Sequence, residues 1–141
     1  YRLPTGAEWE YATRAGTVTT SFPFPAPDGT NLDLCSGCEP FEALAPYLNC
    51  TCQAMDRPVE AGTLEPNNWG LTETLGNLQE IVSPWDDDPD LVVVPNSKVP
   101  MRGGSFNDEC KDVTSAAGAE IKANEKRYDT GFRIVRTVGL K

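Results

Sequence analysis

The chemistry available to this chain sits in its five cysteines, and histidine, the usual partner of a reactive thiol or a bound metal, is absent. Cys35-x-x-Cys38 and Cys50-x-Cys52 bring four thiols into one segment. Two close pairs of thiolates suit tetrahedral zinc. The same thiols suit two disulfides stapling a long loop. The Cys-x-Cys half is tighter than a usual zinc knuckle, and the acidity and abundant loop favour disulfides. A bond between Cys50 and Cys52 themselves would be strained, so each is expected to bond into the 35–38 segment, with the connectivity open. No βαβ pattern surrounds Cys35-x-x-Cys38, which removes a thioredoxin-like role. Cys110 stands alone, as a nucleophile, a buried or incidental thiol, or the partner of a cysteine in a segment outside this chain. Without histidine, Ser-His-Asp catalysis and His-ligated iron or zinc are excluded within this chain.

The composition narrows the partners. The 141 residues make one domain, 1–141, with enough chain for a core. A net charge of −9 argues against nucleic acid and anionic membrane. It accords with a secreted protein or with cation binding. No apolar run reaches membrane-spanning length; Leu91 to Val94 is only strand-sized. Asp86, Asp87, Asp88 and Asp90 read as a solvated turn. The chain opens Tyr1-Arg2-Leu3-Pro4 without an initiator methionine, so a fragment or processed product is expected.

Few regular elements are available to position these groups. Thr5 followed by Glu8 is a capping box, and it predicts a short helix to Gly16 carrying Trp9 and Ala12 on its apolar face. Residues 17–66 are rich in Pro, Gly and Asn and lack periodicity. Residues 67–80 read as turns leading into a strand. Leu91–Val94, Val99–Gly104 and Gly131–Val138 read as strands, and 107–129 as polar loop with a short strand or turn.

Four strings then stand out in order: RLPTGAEWEYATRAG at 2–16, PNNWGLTETLGNLQEI at 66–81, RGGSF at 102–106 and TGFRI at 130–134. Together they resemble the formylglycine-generating enzyme, or sulfatase-modifying factor, family. The resemblance covers nearly the whole chain and is weakest over residues 20–55. It implies an α+β, loop-rich variant of the C-type-lectin-like fold, with the segment that precedes the RLPT motif in relatives missing. It therefore implies a companion polypeptide, either that N-terminal part or a neighbouring subunit, covering Trp9 and the Gly131–Val138 strand. It also implies an extracytoplasmic location.

The family's enzymes oxidise a sulfatase cysteine with oxygen and copper held by two cysteines. Those cysteines fall two and seven residues after the motif aromatic, here Phe106, so their places hold Asp108 and Val113. A carboxylate and a valine cannot replace two thiolates for Cu(I). No catalytic residue and no copper are therefore expected. The resemblance also implies structural calcium at Glu73, Gly76, Leu78 and Glu80, with the acids giving carboxylates and the other two giving carbonyls. Gln79 and Ile81 stand where relatives carry tryptophan. A second calcium site would start at Asn49 with Asp56. The expected function is a non-catalytic binding or structural module in an extracytoplasmic assembly. The alternative is a divergent formylglycine-generating oxidase acting on a protein cysteine.

Overall fold

Thr5 starts the first element by using both its side chain and its backbone. Its hydroxyl accepts from the Glu8 N–H at 3.1 Å, and the Glu8 carboxylate accepts from the Thr5 N–H at 2.9 Å. This is the capping box legible in the sequence, and it opens helix α1, Gly6–Arg14. The helix ends at Ala15, in the left-handed region at φ 46°, one residue before the glycine expected to stop it. The strain of a left-handed alanine is accepted because Asn67 reaches across from another segment. Its amide donates to the carbonyls of Ala12 and Thr13 at 3.0 and 3.1 Å, covering the last turn's orphan acceptors.

The computed structural model describes residues 1–18, 45–51, 57–84 and 96–138. The strand expected at Leu91–Val94, the acid run at Asp86–Asp90, and Cys35, Cys38, Cys52 and Asp56 lie outside the described residues. Four short strands form one sheet: β1 Gln79–Ile81, β2 Lys98–Arg102, β3 Gly118–Lys122 and β4 Thr130–Phe132. Their order is β3-β2-β1-β4. β2 runs antiparallel to both β1 and β3, while β4 runs parallel to β1. The C-terminal strand is shorter than expected. After Phe132 its contact passes to Val135, which exchanges both backbone bonds with Arg2 at 3.0 and 2.9 Å.

The strands alternate as half-buried strands should. In β2, Val99 and Met101 point inward and pack with Ile121 and Ile81. Pro100 between them lacks a donor, yet its carbonyl still receives the Val82 N–H at 3.1 Å. The larger core cluster holds Trp9, Leu48, Cys50, Leu75, Val82, Cys110 and Val113. The architecture is α+β and loop-rich, as the motifs imply.

Trp9 corrects one expectation. It is only 1% exposed, buried by this chain's own residues, so it offers nothing for a companion to cover. The physical reason is that segments 45–51 and 71–84 close over the helix face, bringing Leu48, Leu75 and Val82 onto the indole.

Arg2 grips Glu8 through two bonds of 2.6 and 2.7 Å. Mainly through that guanidinium, and despite some burial, the Glu8 carboxyl falls from 4.5 to about 2. A depressed carboxyl contributes stability that is complete above its ordinary range and is lost as pH falls through the folded value. Because the pair is half-exposed, the contribution is under about 1 kcal/mol. We expect Glu8→Gln to be less stable than the parent near neutral pH and to lose less on acidification from 4.5 to 2. Urea unfolding followed by tryptophan fluorescence at several pH values checks this; parallel curves would remove the assignment.

Candidate functional site

Glu80 lies on β1 and is nearly buried, and three N–H bonds converge on its carboxylate. Trp9 Nε1 donates to Oε2 at 2.5 Å. Arg133 grips the group with both prongs, Nε to Oε2 at 2.5 Å and Nη2 to Oε1 at 2.6 Å. Arg133 Nη2 also reaches the carbonyls of Thr72 and Glu73, both at 3.2 Å. A bidentate, desolvated guanidinium–carboxylate pair is among the stronger polar contacts a fold can make. The parallel pairing of β1 with β4 creates it by setting Glu80 opposite Gly131, two residues before Arg133.

This pair forms one wall of a pocket of about 400 Å³ whose rim includes Glu73, Asn77, Leu78 and Phe132. Two of these residues hold left-handed backbone, Glu73 at φ 48° and Asn77 at φ 60°. Each is fixed by its own side chain. The Glu73 carboxylate accepts from Gly62 N–H at 2.9 Å and Leu64 N–H at 2.8 Å. Burial pushes its carboxyl up, but the Thr72 hydroxyl and the N–H groups of Leu64, Gly62 and Thr63 outweigh this and hold it below its ordinary value. The Asn77 amide clasps Val59 as a strand would, Oδ1 accepting from Val59 N–H at 2.8 Å and Nδ2 donating to its carbonyl at 3.2 Å. Gly76 between them admits no side chain, since a Cβ would sit 2.1 Å from the Asn49 carbonyl oxygen.

Three of the four expected calcium positions, Glu73, Leu78 and Glu80, therefore line one pocket, and Gly76 sits behind it against Asn49. Their carboxylates do not fit a calcium ion in this arrangement. Those of Glu80 are taken by Trp9 and Arg133, whose guanidinium already supplies the positive charge, and those of Glu73 by backbone donors. Among the described residues no three Cys, Asp or Glu side chains gather into a metal-holding group. The Asn49 loop differs. The Asn49 Nδ2 donates to the Arg57 carbonyl at 3.0 Å, while its Oδ1 is fully buried without a hydrogen-bond partner.

The cysteine expectation is corrected as well. Cys50 is bonded to Cys110, with 5.2 Å between their Cα atoms, and not to the 35–38 segment. That bond also takes the Cys50 sulfur away from a four-thiolate zinc site. Both sulfurs lie in the main core cluster, so the lone Cys110 is a structural partner. The two flanking positions are equally structural. Asp108 Oδ2 accepts from the Ser105 N–H at 2.7 Å and its hydroxyl at 2.9 Å, closing the turn after the glycine pair. Val113 is fully buried, its side chain pressed against Gly104.

The motif arginines Arg102 and Arg133 read in sequence as holding backbone or carboxylate partners, and Arg133 holds both; that its carboxylate is Glu80 is what sequence reasoning missed, together with the role of Asn67. Asn67 caps α1 with its amide nitrogen while its Oδ1 accepts from Trp69 N–H at 3.0 Å and Leu71 N–H at 3.1 Å. The signal was the Asn-Asn-Trp-Gly turn, whose first asparagine is in place to hydrogen-bond its own backbone.

Comparison with known proteins agrees with this geometry. Residues 1–138 match the sulfatase-modifying factor enzyme 1-like domain, and the chain belongs to that family. The formylglycine-generating enzyme of Streptomyces coelicolor is 26% identical over 156 residues, spanning 99% of this chain and 48% of that protein. The chaperone protein LppX of Paenibacillus barcinonensis is 26% identical over 150 residues, spanning 97% of this chain and 49% of that protein. The chain thus covers about half the length of these relatives. Treponema denticola variable protein 1 shares the fold, with a TM-score of 0.69 at 24% identity over 93% of this chain and 45% of its own.

The bridge between Cys50 and Cys110 spans 60 residues. Closing a loop of that length removes about 4 kcal/mol of unfolded-chain freedom in the chain-entropy picture. Cys110→Ser should destabilise by about that much, read as a shift in urea midpoint. Peptide mapping without reductant should return the 50–110 crosslink, and a free thiol at Cys110 would contradict the pairing.

Proposed function

We propose that this chain is a non-catalytic binding or structural module of the sulfatase-modifying factor family that works outside the cytoplasm. The observation that carries the reading is what occupies the positions of the family's copper cysteines. Asp108 closes a turn, Val113 fills the core, and Cys110 between them is locked in a buried disulfide. None of the three offers a thiolate to copper, and copper(I) selects soft sulfur ligands. The disulfide supports an oxidising compartment. No helix among the described residues is long and apolar enough to cross a membrane. That one relative carries the name of a chaperone supports a role for this fold without oxidase chemistry.

In this reading the Glu80 pocket is a rigid frame and the loops around it are the binding surface. Calcium belongs to the reading as a structural ion at the Asn49 loop, with Asp56 as the expected acid. The buried, unbonded Asn49 Oδ1 supports it there, whereas the Arg133 guanidinium opposes it at Glu80.

Two measurements test the proposal. Incubation with a sulfatase-motif peptide, oxygen and copper should give no formylglycine, and copper-dependent turnover would overturn the non-catalytic reading. For calcium, chelation should lower the melting temperature of the parent chain and leave Asn49→Ala unchanged, since an ion bound only to the native state stabilises it by mass action. Identical melting with and without chelator would remove calcium from the account.

A further inference from the structure

Residues 48–51 cross between two turns and are held on both sides. On one side the Asn49 carbonyl accepts from the Asn77 N–H at 2.8 Å, and Asn49 bridges in parallel to Gly76, whose missing side chain makes room for it. On the other side two ties run to the stretch 108–110. One is the Cys50–Cys110 disulfide, and the other is the Thr51 N–H donating to the Asp108 carbonyl at 3.1 Å. Between these anchors Asn49 is fully buried. The bond from its Nδ2 to the Arg57 carbonyl fixes the plane of the amide and so the direction of Oδ1, which has no hydrogen-bond partner among the described residues. An oriented amide oxygen stripped of water is a ligand that calcium takes. Its position depends on the residue that follows it, and that residue is crosslinked.

We infer that the Cys50–Cys110 disulfide is the positioning element of the calcium ligand Asn49, so that the ion binds with the bond formed and is released when the bond is reduced. The inference rests on the calcium reading at the Asn49 loop given above. Both sulfurs are fully buried, in the cluster with Trp9, Leu48, Leu75, Val82 and Val113. Two thiols fill more room than a bonded pair of sulfurs, and a close-packed interior has none to give. Reduction therefore displaces the chain at Cys50, and Asn49 moves with it. The Thr51–Asp108 hydrogen bond is left on that side, and one backbone bond does not hold a side-chain oxygen as closely as a metal site needs. Release is thiol–disulfide exchange. Two glutathione thiols supply two electrons and two protons; the Cys50–Cys110 bond breaks, both cysteines become thiols, and the glutathione leaves as its disulfide. Linkage makes the effect mutual: by whatever factor the bond raises calcium affinity, calcium protects the bond from reduction. The ion is then loaded only where the chain is oxidised.

The test titrates calcium chloride, by calorimetry, into the oxidised natural polypeptide and into its variant carrying Cys50→Ala and Cys110→Ala. Asn49→Ala identifies the heat that belongs to this site. The expected result is an affinity at least tenfold weaker in the double variant. Equal affinity would overturn the inference and leave the calcium reading intact. An oxidised parent whose titration matches that of Asn49→Ala would overturn both. Because loss of the bond weakens the fold, a second measurement uses chains that keep their cysteines. Parent and Asn49→Ala are equilibrated in glutathione buffers with and without calcium chloride. Thiols are trapped by alkylation, and the 50–110 crosslink is quantified by mass spectrometry. In the parent, calcium at saturation should raise the value of [GSH]²/[GSSG] at half reduction at least tenfold, and in Asn49→Ala it should leave that value unchanged. A parent midpoint indifferent to calcium, or the same shift in both chains, would overturn the positioning role.

Discussion

A single buried carboxylate holds this molecule together. Glu80 receives the indole N–H of α1 from one side and the guanidinium that follows β4 from the other. Its partners lie 71 and 53 residues away in the chain. A buried acid with so many donors is costly to desolvate, and a well-packed apolar replacement of the whole group could be as stable. Its value is in fixing geometry. Trp9 seats in the cluster of Leu48, Leu75 and Val82 with its N–H satisfied by Glu80, and the parallel pairing of β4 with β1 is followed by Arg133 turned inward to the same carboxylate. The Arg133 contacts to the Thr72 and Glu73 carbonyls then draw the pocket loop onto the same frame.

The remainder of the structure is arranged to let that carboxylate close. Gly103 is one such accommodation: a Cβ there would lie 2.7 Å from the Thr74 carbonyl oxygen and 3.0 Å from the Trp9 ring. The disulfide is another, tying the segment that carries Leu48 and Asn49 to the short helical turn Cys110–Asp112. Residues that could have been a reactive surface have been drawn into this scaffold. Cys110 is sealed in the core, Asp108 closes a turn, and Val113 packs on Gly104.

How much of this was legible in the sequence followed the range of each interaction. The capping box of Thr5 and Glu8 was readable because its two members lie three residues apart and each suffices to define the other's role. The four motif strings carried the fold class, and β2 overlaps the stretch read as a strand, Val99–Gly104, because Val99 and Met101 alternate with more exposed neighbours. Glu80 was read as a metal ligand because the family resemblance implies calcium in this stretch. Nothing local announces that its donors come from Trp9 and Arg133. Cys110 looked solitary for the same reason, its partner being 60 residues distant. Trp9 was expected at an open face because the segments that cover it belong to irregular chain, where periodicity gives no guide to packing.

The most direct test of the Glu80 clasp is a double-mutant cycle on the intact chain. Glu80→Gln, Arg133→Gln and the double variant are compared with the parent by urea unfolding. The account predicts that either single change costs about 3 kcal/mol, because each strands a buried partner, and that the two are coupled by about 2 kcal/mol. Additive losses, with a coupling below about 0.5 kcal/mol, would mean that the pair is incidental to the fold and would contradict it.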